Sequence, residues 1–187
     1  MVLTTNELYD KLELKNQEKV LLRSLKDYYK NNICNLLILI EIINSDNKIS
    51  KRTIEYFVTQ YSIKNNINYT LNENNNNIIF NVYNSYKNQL KAYKKKYFDP
   101  FGRGDRIPFI LDDYCIITTI GQLNFYKWFF SKKIYDYCYS NYNIIQVSLL
   151  SIKKKPKKLK NNINKNIKYD YCSNINNNGH IIVSYSL

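Results

Sequence analysis

Lys87, Lys91, Lys94, Lys95, Lys96, Arg103 and Arg106 fall within one short stretch and are interleaved with Tyr86, Tyr93, Tyr97, Phe98 and Phe101. Ammonium and guanidinium groups contact phosphates whatever the base sequence, and exposed aromatic rings stack on unpaired bases. The alternative is a solvated basic stripe backing a helix whose tyrosines belong to the core, and this reading is preferred for the aromatics. A second cationic run, Lys153, Lys154, Lys155, Pro156, Lys157, Lys158, Leu159 and Lys160, reads as a nucleic-acid tether, an import signal or a solubilising loop. The formal charge of +13 favours a polyanionic partner. The abundance of Asn, Lys, Ile and Tyr tempers that inference, because an A+T-rich genome yields such a composition whatever the fold.

Chemistry of other kinds finds little support. No Gly-rich phosphate loop, H-E-x-x-H pattern, nucleophile elbow or His/Cys pairing occurs, and the single histidine, His180, stands beside an apolar run near the chain end. Asp46 and the Asp112-Asp113 pair sit in predicted turns, where acidic residues are expected anyway. Cys34, Cys115, Cys138 and Cys172 are too widely spaced for a zinc site, and the first residues lack a signal peptide's basic and apolar regions. They read as reduced and mostly core. Arg103-Gly104-Asp105 spells an adhesion tripeptide by coincidence. The expectation is a non-enzyme without cofactor or metal. The apolar run Leu36–Ile43 is broken by Glu41 and is too short to cross a membrane.

These side chains must be positioned by an α+β fold, a small antiparallel sheet of hairpins packed with several amphipathic helices. Residues 5–31 read as one or two helices opened by Thr4, Asn6 and Glu7, and 33–43 as helix or buried strand. Ser50 caps a helix with Ile54, Phe57, Val58 and Tyr61 on one face. Ile67–Thr70 and Ile78–Val82 flank the polar 72–77 segment as a hairpin with a long loop. A helix over 84–96 places Tyr86, Leu90, Tyr93 and Tyr97 on one stripe and the lysines on another. The loop 98–106 reads as a structural turn, with Asp99 bonding nearby amides and Phe98 and Phe101 anchoring it. A second hairpin spans 107–118, turning at Asp112-Asp113. Thr119 and Gln122 form a capping box for a helix that is aromatic all round, and a further helix runs through 144–150. The aromatic helix is expected to pack Leu123, Tyr126 and Phe130 against the strands at 78–82 and 107–117, with Phe101 plugging the loop between them. One α+β domain is expected over 1–152, with its core motifs in 49–140. A loose Lys/Asn-rich segment follows over 153–178, and a terminal strand over 179–187.

The run Tyr97-Phe98-Asp99-Pro100-Phe101, then Arg103, Arg106 and Ile107, then Thr118 through Trp128 resembles an uncharacterised protein family of nucleocytoplasmic large DNA viruses. The resemblance is strongest to its mimivirus-type and algal-virus members. Ile49 through Tyr61 is similar to that family's first helix, so the resemblance covers roughly residues 49–140. The pattern departs at Gly102 and Gly104, where that family carries a cysteine and a basic residue. The resemblance implies a viral origin and an intracellular setting, in the host cytoplasm at the virus factory, in the virion or in the host nucleus. It implies no activity. The expected function is a viral accessory protein binding DNA or RNA with low sequence specificity through the basic residues above. The alternative is a virion or assembly component acting through contacts with viral structural proteins.

Overall fold

The computed structural model describes residues 11–73 and 76–153. The chain divides into two units, 1–155 and 156–187, and every element below belongs to the first. The expectations for residues 4–7, for the Lys154–Lys160 part of the second basic run, for Cys172 and for the terminal strand lie outside the described residues.

Among the described residues, three helices precede the basic stretch. Helix α1 (Asn16–Asn31) turns Leu22, Leu25 and Tyr29 inward, at the three- and four-residue spacing of one helical face. The 33–43 run, ambiguous in sequence, is helix α2 (Ile33–Asn44), burying Leu36, Leu39 and Ile42 and ending on Ser45 in the left-handed region. Helix α3 (Lys51–Tyr56) starts at Ser50, whose Oγ accepts the Thr53 amide at 3.2 Å. It continues through a π-helical turn (Phe57–Tyr61) into a last turn (Ser62–Lys64). The hydroxyls of Thr59 and Ser62 donate back to the carbonyls of Glu55 and Val58 there, a local competition that bends helices. The expected face of Ile54, Phe57, Val58 and Tyr61 is buried throughout.

The two hairpins form separate two-stranded antiparallel sheets. In the first, β1 (Asn68–Glu73) pairs with β2 (Asn76–Asn81) from Asn68 opposite Asn81 to Glu73 opposite Asn76. The connection is therefore short: most of the asparagine-rich segment expected as a long loop is strand. Tyr69, Leu71 and Phe80 turn inward, whereas Ile78 and Ile79 are exposed and Val82 already opens the next helix. The second hairpin, β3 (Arg106–Leu111) with β4 (Tyr114–Thr119), turns at Asp112-Asp113 as expected, with Asp112 at φ 48°, and pairs Arg106 with Thr119 through Leu111 with Tyr114. Ile107, Phe109 and Leu111 form its inner face.

The centre is α5 (Ile120–Ser131), on which Leu123, Phe125, Tyr126, Trp128, Phe129 and Phe130 are all buried. The Tyr29 hydroxyl of α1 donates to the Leu123 carbonyl at 2.9 Å, and its ring stands edge-on to Phe109 at 5.8 Å, so α1 and β3 meet over α5. Helix α6 (Ile134–Ser140) follows, then α7 (Tyr142–Lys153), which buries Ile145 and Leu149. Tyr56 Oη and Ser148 Oγ at 2.6 Å, and Gln146 Nε2 donating to Thr53 Oγ1 at 2.7 Å, tie α7 to α3. Cys138 is buried, but Cys34 and Cys115 are exposed free thiols, correcting the expectation that the cysteines are mostly core. Among the described residues no helix is long and apolar enough to cross a membrane.

Candidate nucleic-acid interface

The basic stretch begins on α4 (Val82–Tyr93), capped by Asn81, whose Oδ1 accepts the Asn84 amide at 2.8 Å. Tyr86, Leu90 and Tyr93 are half-buried on the inner side, while Lys87 and Lys91, one turn apart, are exposed. The helix stops earlier than the sequence periodicity predicts. The Lys94 amide bonds to the Leu90 carbonyl at 3.0 Å, and Lys94 itself takes φ 57° and ψ 168°. A 3-10 turn (Lys95–Tyr97) then delivers Phe98 into the core. Phe98 is 2% exposed, with ring centroids of Tyr86 at 6.0 Å, Tyr93 at 6.5 Å, Phe125 at 5.1 Å and Trp128 at 5.4 Å. Lys94, Lys95 and Lys96 are exposed on the reversal and do not extend the helical stripe, which corrects the sequence expectation. The anchor is also Phe98 rather than Phe101.

Beyond Phe98, the loop is held by a buried carboxylate. Asp99 accepts the Arg103 amide at 3.0 Å, Nε at 3.2 Å and Nη2 at 2.7 Å. Burial pushes the Asp99 carboxyl up, and the Arg103 hydrogen bonds and charge more than offset this, holding it below the usual range. The guanidinium lies over the Phe101 ring at 5.1 Å. On α5, Gln122 Nε2 donates to the Pro100 carbonyl at 2.9 Å, its Oε1 accepts from Thr118 Oγ1 at 2.9 Å, and Asn124 donates to the Tyr97 carbonyl at 2.9 Å. Gln122 is thus not the reciprocal half of a capping box. Thr119 does cap the helix, accepting the Gln122 amide at 3.0 Å. At Gly121 a Cβ would stand 2.5 Å from the Lys96 carbonyl oxygen, so only glycine lets the chain pass this close.

Lys96 bridges Glu18 at 3.1 Å and Asp105 at 3.3 Å. Glu18, nearly buried at the start of α1, also accepts the Tyr97 hydroxyl at 2.8 Å and the Lys15 amide at 3.0 Å. Burial raises its carboxyl, but these hydrogen bonds and the Lys96 charge bring it below the ordinary value. Lys96, Arg106, Thr119 and Gly121 border a cleft of about 210 Å³ beside this network. Lys51 lies close enough to Arg106 that, after burial, its charge helps to lower the Lys51 ammonium.

Residues 5–186 match a family of unknown function, DUF7197. The chain belongs to that family. A relative is an uncharacterized protein, L507, of Acanthamoeba polyphaga mimivirus, 34% identical over 170 residues that cover 84% of this chain and 66% of the relative. No solved structure matches.

This DUF7197 chain keeps the seven cations of its 87–106 stretch exposed but divides them. Lys87, Lys91, Lys94 and Lys95 have no ion pair among the described residues, whereas Lys96 and Arg103 are tied to carboxylates. Lys153 is the last residue of α7, so the second basic run begins on a helix and the rest of it lies outside the described residues. Sequence reasoning missed Glu18 and Asn124, and gave Gln122 a capping role in place of its bonds to Thr118 and Pro100. Asp99 and Arg103 stand at a spacing of four that signals their pairing, but no local pattern links Glu18 to Lys96 and Tyr97.

Proposed function

We propose that this chain is a non-enzymatic viral accessory protein that binds nucleic acid with low sequence specificity. The observation that carries this reading is the set Lys87, Lys91, Lys94 and Lys95: four exposed ammonium groups on adjoining turns, without ion pairs among the described residues. Such groups neutralise phosphates and release counterions, and that gain requires no base contact. The non-enzymatic part is supported by the roles of Glu18 and Asp99, whose carboxylates are engaged in hydrogen bonds that hold the fold, Glu18 doing so at the border of the cleft. Fluorescence anisotropy with a labelled random duplex at low salt tests it. Binding at micromolar protein that disappears when the four lysines become glutamine is the expected result, and no binding at that concentration rejects the reading.

A second reading, a virion or assembly component acting through protein contacts, is favoured by the outer side of α7. Ile144, Val147 and Leu150 are 63%, 69% and 49% exposed there, at a spacing that aligns them. Sedimentation velocity over a range of concentrations tests it: self-association abolished by Val147→Asp supports this reading, and a monomer throughout counts against it.

A further inference from the structure

Two devices allow a basic surface to read bases: aromatic rings that stack on unpaired bases, and arginine forks that grip a base edge through two hydrogen bonds. Both occur in the sequence around the lysines, and the fold engages the aromatic rings and Arg103 for itself. Tyr86 packs on Phe98 and Trp128, and Tyr93 stacks on Phe98 at 6.5 Å with 17° between the rings. Tyr97 gives its hydroxyl to Glu18 and has Lys96 over its face at 5.3 Å. Phe101 is covered by the Arg103 guanidinium, whose Nε and Nη2 are engaged by Asp99. What faces outward around Lys94 is a set of ammonium groups on long flexible stems, which act as point charges without directional preference.

Building on the nucleic-acid reading above, we infer that the ligand is duplex nucleic acid recognised through its phosphates alone, with no contribution from unpaired bases. The duplex is favoured because its two strands together present one charge per about 1.7 Å of axis, twice the linear density of a single strand. If Lys87, Lys91, Lys94 and Lys95 each neutralise one phosphate, duplex affinity falls about 150-fold between about 50 and 200 mM salt. The corresponding loss on a single strand is about 50-fold. Arg106, the remaining arginine of the stretch, is exposed at the start of β3; on a ligand recognised through its phosphates alone only its charge counts, so Arg106→Lys changes duplex affinity less than about twofold.

The experiment is anisotropy at low salt with three labelled probes of equal length: a random duplex, oligo-dT and a wholly abasic strand. Each is titrated with the full chain, with Arg106→Lys and with the variant in which the four lysines become Gln, all shown to be folded by circular dichroism. The duplex is expected to bind tightest, oligo-dT and the abasic strand to bind equally, and the four-lysine variant to lose measurable binding to all three. Tighter binding of oligo-dT than of duplex, weaker binding of the abasic strand than of oligo-dT, or a tenfold loss in Arg106→Lys overturns the inference while leaving nucleic-acid binding intact. Absence of binding to all three probes overturns both.

Discussion

Asp99 shows how a charged residue becomes part of a core. It is 7% exposed and satisfies three donors of one residue, Arg103, whose own side chain is 69% exposed. Asp99→Ala would leave the Arg103 amide unpaired in a part-buried loop, and is expected to cost about 1–3 kcal/mol in chemical denaturation. Arg103→Ala removes an exposed group and should cost less, although it leaves the buried carboxylate with fewer partners; equal costs would mean that the guanidinium organises the loop. Glu18 and Asp99 both have folded-state values below their ordinary 4.5 and 3.8. A depressed carboxyl stabilises the fold fully above its unfolded value, and this contribution is lost as pH falls through the folded value. The melting temperature should therefore hold from neutral pH down to the ordinary carboxylate range and drop below it, and Glu18→Gln should be less stable at neutral pH with a shallower acid decline. An unchanged acid limb in that variant would show that Glu18 does not contribute. Of these two residues only Asp99 was legible in sequence, because an Asp-Pro turn is a local pattern in which the side chain bonds nearby amides, although its grip on the Arg103 side chain was not read. Glu18 finds Tyr97 across a separation of 79 residues, and no local pattern announces such a pair.

At the scale of elements, the instructive failure is the end of α4. The apolar spacing Tyr86, Leu90, Tyr93, Tyr97 continues smoothly past Tyr93, and no glycine or proline marks a stop, so the sequence predicts helix to residue 96. The stop is tertiary: burying Phe98 among Tyr86, Tyr93, Phe125 and Trp128 requires the chain to reverse at Lys94, which adopts a positive φ without the freedom of glycine. Such a conformation costs a non-glycine residue about 1–3 kcal/mol. Lys94→Gly should relieve it and, after the entropy that glycine adds to the unfolded chain, raise stability by about 1 kcal/mol. A loss of stability in thermal melts would mean the Lys94 side chain holds the turn. The neighbouring Gly121→Ala should act in the opposite sense, by about 1–3 kcal/mol, because its new methyl would meet the Lys96 backbone oxygen, which cannot swing away as a side chain would. The strong signals were of another kind. Ser50, Thr119 and the Asp112-Asp113 turn were readable because caps and tight turns are determined by residues within a few positions of one another.

For the whole molecule, the α+β class was legible because nearly every element carries one apolar face, and the aromatic helix could only be central. Sequence favoured a core role for the aromatics around the lysines but could not say how deeply each one enters it, since a tyrosine beside a lysine also suits a base. The structure divides them, turning Phe98 and Trp128 inward at 2% and 5% exposure and leaving Lys91 and Lys94 outside. Trp128 also donates its indole N–H to Ser85 at 3.0 Å, so its removal loses packing and a partner together. Phe98→Ala or Trp128→Ala should cost about 3–5 kcal/mol, a large share of the stability of an ordinary domain, and shift the denaturant midpoint sharply or abolish folding. Changing Lys91 and Lys94 together to Gln should leave the midpoint nearly unchanged, because exposed side chains outside a network contribute within about 0.5 kcal/mol. On the proposed function, the same double change should weaken duplex binding and reduce its salt slope by about 2, since two phosphate contacts would be removed. A lysine pair that proved as destabilising as either aromatic truncation would show that the two sets are not separate faces, and the argument for a free phosphate-binding surface would fail with that separation.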